Sequence, residues 1–98
     1  MKYSIRGNLQ TNKSLAVISL INSYTLWRLH TNTIIDRQTK EPKFTFEAWV
    51  SIEKEKNDLF NSLREHVTLS GENISWHECT HDQNIPLPCE IIETYEGG

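Results

Sequence analysis

Cysteine is scarce in this chain, with two among 98 residues. Both fall late, at Cys79 and Cys89, which excludes a disulfide-dense scaffold and leaves out the CxxC pairs that mark structural zinc modules. Glycine and proline are equally sparse, at four and three residues. No glycine-rich loop of the kind that cradles phosphate is present, nor a nucleophile elbow. No apolar run approaches the ~18 residues of a membrane span. The opening Met1-Lys2-Tyr3-Ser4-Ile5-Arg6 alternates polar and apolar residues without a continuous apolar core, so neither a signal peptide nor a membrane anchor is expected. The expectation is a cytoplasmic protein with reduced thiols. An excess of basic residues is also missing. The net charge is -3, which argues against a dedicated nucleic-acid binder.

What is present is the composition of one globular domain, expected to span residues 1–98, with 37% hydrophobic and 23% charged residues. The charge is unevenly divided. Residues 1–44 carry seven basic and two acidic side chains (+5), residues 45–98 three basic and eleven acidic (-8), together the stated -3. Such a division can steer oppositely charged partners to different faces.

The hydrophobic pattern changes period along the chain. Residues 2–10 alternate, with Tyr3, Ile5, Gly7 and Leu9 on one side, which is a half-buried strand. Thr11 and Asn12 are suited to N-cap a helix over about 13–23, whose stripe is Val17, Leu20, Ile21 and Tyr24. From Thr25 to Arg37, β-branched and aromatic residues predict a strand, bulged near Asn32. After the polar turn 38–42, residues 43–53 alternate most clearly: Phe44, Phe46, Ala48, Val50 and Ile52 face in, while Lys43, Thr45, Glu47, Trp49, Ser51 and Glu53 face out. Leu59, Phe60, Leu63 and Val67 form a second helical stripe, with Gly71 placed to end it. Strand character returns over 72–81, Pro86 and Pro88 interrupt it, and 89–95 predicts a last short strand paired to its predecessor.

The order strand, helix, strand, strand, helix, strand, with one strand added at the C-terminal end, resembles the ferredoxin-like split βαβ fold. That resemblance implies an α+β domain with an antiparallel sheet, both helices on one face and the first and third strands at its centre. The fold hosts many unrelated functions, so function must be argued from a site.

On the face that such a fold leaves open, Trp49 stands out: an indole in the polar phase of a strand is costly to leave in water, and exposed aromatics are enriched at interfaces. Its alternative fate is cover by arginine or lysine stems, or by the C-terminal segment. With Arg6, Lys43 and Glu47 it makes a candidate partner-binding surface for a protein, either a second copy as a homodimer or a partner that is regulated or neutralised. A single aromatic platform is too few for base stacking, so nucleic acid is not expected as the partner.

His77, Cys79, His81 and Cys89 offer a second candidate, a metal or small-ligand site. Along an ideal strand His77 and His81 lie about 13.5 Å apart, too far to share a zinc ion without a bulge. A Cys79–Cys89 disulfide, a thiol-dependent enzyme built on the Cys-His neighbours, and two packed thiols are further readings of the same residues. The leading expectation is a non-catalytic binding module without cofactor. Gly97-Gly98 resembles the conjugation tail of ubiquitin-like proteins over two residues only, and the single strand before the first helix departs from their opening hairpin. A frayed tail is expected there.

Overall fold

A computed structural model describes residues 3–26, 28–78 and 90–98. Its elements are β1 (Tyr3–Gln10), a 3-10 turn (Thr11–Lys13), α1 (Ser14–Ile21), β2 (Arg28–Ile35), β3 (Pro42–Val50), α2 (Glu53–Arg64), β4 (Asn73–Glu78) and β5 (Glu90–Glu96). The strands form one open sheet in the order β2-β3-β1-β4-β5. Every neighbouring pair is antiparallel. The described residues therefore form an α+β fold with a five-stranded antiparallel sheet and two α-helices, and β1 lies in the middle. Among the described residues no helix is long and apolar enough to cross a membrane.

The alternation in β1 and β3 decides which face is buried. Tyr3, Ile5 and Leu9 of β1 join Phe44, Phe46, Ala48 and Val50 of β3 and Ile74 of β4 in one apolar core. That core is closed by Val17 and Ile21 of α1 and by Leu59, Phe60 and Leu63 of α2. Gly7 is required at the centre of this face. A Cβ there would stand 2.6 Å from Phe46 Cε1 and 2.9 Å from Ile74 Cγ2, so the two neighbours fill the space above the bare backbone.

Several boundaries differ from the sequence expectations. The first helix is shorter, 14–21, and neither Thr11 nor Asn12 caps it; both fall in the 3-10 turn. β2 runs in unbroken register with β3 from Arg28↔Trp49 to Ile35↔Pro42, so no bulge occurs at Asn32. β3 stops at Val50, and Ile52, expected inward, is 53% exposed because it is the extended residue that opens α2. α2 ends at Arg64, well short of Gly71. Gly71 takes φ 89° in the turn that enters β4 instead. The irregularity in the sheet lies between β4 and β5, where the register shifts by one residue after Trp76.

The terminal glycines are docked rather than frayed. Gly97 N–H donates to Glu72 O at 2.8 Å, extending the β4–β5 ladder. The backbone of Leu69 packs so close that Gly97 has no room for a side chain.

Candidate functional site: the open sheet face

Side chains alternate across a pleated strand, so the face away from the helices is fixed by the register. Reading across the sheet from β2 to β4, one row is Arg28, Trp49, Ser4 and His77. The next is His30, Glu47, Arg6 and Ser75, and the next Asn32, Thr45, Asn8 and Asn73.

Glu47 is the electrostatic centre of this face. Its Oε1 accepts the indole N–H of Trp49 at 2.5 Å and lies 3.6 Å from Arg28 Nη2. Its Oε2 lies 3.3 Å from Arg6 Nε, which also donates to Ser4 Oγ at 3.2 Å. The Arg28 guanidinium stands 5.9 Å from the Trp49 ring centroid. One carboxylate thus gathers two guanidinium groups and an indole from three strands. Such partly exposed ion pairs contribute about 1 kcal/mol or less each. Their consequence is positional: the indole edge is tethered, and Trp49 remains half-buried rather than withdrawn into the core.

Beside this network lies a basin of about 380 Å³ lined by Arg6, His30, Asn32, Thr45 and Glu47, with Thr31 and Phe46 at its floor. It presents positive, negative and neutral hydrogen-bonding groups together. Towards β4 the face closes. Ser4 has no exposed surface, and His77 is 6% exposed with its Nε2 3.0 Å from Ser75 Oγ.

Three of the four residues expected at a partner surface are therefore together: Trp49, Arg6 and Glu47. Lys43 shares their face but pairs with Gln10 and Ile34 at the far end of β3, four residues from Glu47, a distance of about 13 Å along the strand. Arg28, His30, Asn32 and Thr45 complete the basin. Arg28 and His30 share a strand phase, which was the available signal, but pairing β2 beside Glu47 rather than elsewhere needs the sheet order. Of the proposed metal or thiol cluster, His77 is buried on β4 as described, while Cys79, His81 and Cys89 lie outside the described residues, as does the disulfide reading. Among the described residues no three His, Cys, Asp or Glu side chains stand together as a metal site.

Two other polar clusters serve the fold. Glu72, fully buried, accepts Lys13 Nζ at 2.6 Å, the backbone N–H groups of Leu69 and Thr68 at 2.9 and 3.1 Å, and that of Gln10 at 3.0 Å. Burial pushes its carboxyl up, but Lys13 and the three backbone donors outweigh it and hold the group at about 2. Lys56 of α2 is buried with its ammonium 3.5 Å from the Trp76 ring centroid and 5.4 Å from that of Tyr3, an aromatic-lined seat for the cation.

No family model matches this chain, and no curated protein matches it. The functional reading rests on the geometry of the face alone.

Proposed function

We propose that the chain is a ferredoxin-like, non-catalytic protein-binding module of the cytoplasm whose contact surface is the open sheet face. The strand order β2-β3-β1-β4, with β5 added beside β4, supports the ferredoxin-like reading. The observation that carries the function is the Arg28, Trp49, Glu47, Arg6 network on the side of the sheet that, among the described residues, neither helix covers. Tryptophan and arginine are the residue types most enriched among interface hot spots, and here they are held in place before any partner arrives. The occupant is a protein, either a second copy or a partner whose activity the module regulates or neutralises.

Trp49→Ala tests this. The core side of β3 does not include Trp49, so the variant should unfold cooperatively with a midpoint close to that of the parent. Its affinity for whatever protein binds the face should fall by about 2 kcal/mol, roughly 30-fold. Unchanged affinity in a folded variant would remove the open face from the interaction.

A further inference from the structure

The sheet has two edges, and they are built differently. β5 carries Glu90, Glu93 and Glu96, and its register shift against β4 falls within the same strand. Like charge and bulges are the usual defences of a sheet edge against pairing. β2 has neither. Between Arg28 and Asp36 its sequence is Leu29-His30-Thr31-Asn32-Thr33-Ile34-Ile35, without lysine, proline, carboxylate or bulge. Its side chains are exposed on both faces apart from half-buried Leu29, and Ile34 and Ile35 are 46% and 62% exposed. Among the described residues no strand pairs with its outer side.

The register of the β2–β3 hairpin fixes which backbone groups that outer side presents. Asp36 N–H donates to Glu41 O at 2.9 Å, in step with the ladder from Arg28↔Trp49 to Ile35↔Pro42. Hydrogen-bonded pairs alternate along an antiparallel ladder, so the even-numbered residues of β2 turn their backbone groups to β3. Leu29, Thr31, Thr33 and Ile35 turn theirs outward.

We propose that this edge pairs with the β2 of a second copy of the chain, antiparallel about a two-fold axis at Asn32. That register sets Thr31 against Thr33 and Leu29 against Ile35 as hydrogen-bonded pairs, using all four outward-facing residues of each strand. It also sets Arg28 against Asp36, opposite charges at both ends of the contact, and Ile34 against His30. Each exposed isoleucine gains a neighbour, and opposite charges meet at each end of the contact, Arg28 keeping Glu47 at 3.6 Å beside it. The contact is isologous, so it closes as a dimer and joins two sheets into one of ten strands. Slipping the register by one residue would oppose outward-facing to inward-facing backbone groups. Slipping it by two would separate Arg28 from Asp36. This contact uses a strand edge rather than the open face and stands apart from the function proposed above.

The test is sedimentation equilibrium of the full chain, 11.4 kDa as a monomer, over a concentration series. An edge contact of this kind falls at the small end of specific interfaces, below about 1,200 Å². A monomer–dimer equilibrium with a dissociation constant on the order of 10–100 μM is expected. Ile35→Lys, at an exposed position that leaves the core untouched, should raise that constant at least tenfold. Thr33→Pro should do the same: it removes an outward-facing N–H that in the single chain donates to Asn32 Oδ1 at 2.9 Å and in the dimer is handed to the facing strand, and it touches no bond to β3. Trp49→Ala should leave it unchanged. Amide exchange should slow with concentration at Leu29, Thr31, Thr33 and Ile35, while His30, Asn32 and Ile34 stay equally protected throughout. A protein monomeric into the millimolar range would overturn the proposal, as would a dimer indifferent to Ile35→Lys. Species growing beyond the dimer that persist in Trp49→Ala, with the face contact removed, would overturn it too, since they would point to β2 pairing head-to-tail with another edge of the next copy. A dimer lost in Trp49→Ala but kept in both edge variants would place self-association on the face.

Discussion

Two residues show how much of this structure depends on single atoms. At Gly7 the absent side chain is the feature, because the Phe46 ring and the Ile74 methyl occupy its place. Gly7→Ala should therefore destabilise the fold by about 2 kcal/mol or more through overpacking, read as a lower denaturant midpoint at unchanged slope. Glu72 is the opposite case, a buried charge that is fully used. Its carboxyl sits at about 2 in the folded chain against an ordinary 4.5. The stabilisation it brings is thus complete above pH 4.5 and lost as pH falls towards 2. Its size is roughly 3 kcal/mol by linkage. Glu72→Gln should cost about that much at pH 7 and almost nothing near pH 2, in denaturation curves recorded across that range. A parallel pH dependence in parent and variant would contradict the assignment. The sequence offered Gly7 as one member of an inward-facing row, but nothing in it announced either need. Both arise from residues far away in the chain: Phe46 and Ile74 for the glycine, Gln10 and Lys13 for the carboxylate.

Elements were legible where one face meets the core and the other does not. In β1 and β3 every alternate residue from Tyr3 to Leu9 and from Phe44 to Val50 is buried, as the pattern requires. The ends of elements were less legible, because they answer to local backbone geometry. Ile52 continues the apolar phase of β3 yet lies outside it, since the chain turns at Ser51 to begin α2. The loop between β2 and β3 makes the same point. The Asp36 carboxylate accepts the N–H groups of Gln38 and Thr39 at 2.8 and 3.1 Å, and these hold its carboxyl below the ordinary value. The loop then passes through Lys40 at φ 63°, a conformation strained for any residue with a Cβ. Lys40→Gly should relieve that strain and raise stability by about 0.5–1 kcal/mol, provided the loop keeps its shape. Equal or lower stability in thermal and chemical unfolding would show that the strain is absorbed elsewhere.

Across the whole molecule the division of charge along the chain becomes a division across the sheet. Arg6, Arg28 and Lys43 outnumber Glu47 in β1, β2 and β3, while Glu78, Glu90, Glu93 and Glu96 belong to β4 and β5. We infer that association with a partner that engages the acidic side is steered by this field. Its rate should fall as salt shortens the Debye length from about 10 Å at 0.1 M. Rates equal at low and high salt would exclude steering. Which residues share the open face followed from strand phase, and Trp49, Arg6 and Glu47 are indeed neighbours. The basin beside them did not follow, because it exists only once β2 lies against β3 and carries His30 and Asn32 to Glu47.

That face is the centre of the account, and photo-crosslinking inside the cell tests it most directly. A photoreactive phenylalanine analogue at Thr45, half-buried in the basin, is compared with the same group at Leu15, 82% exposed on α1 behind the helical layer. The account predicts a discrete protein adduct from position 45 that is lost when Trp49→Ala is added, and none from position 15. Adducts of the same mass and yield from both positions, or none from position 45, would contradict it.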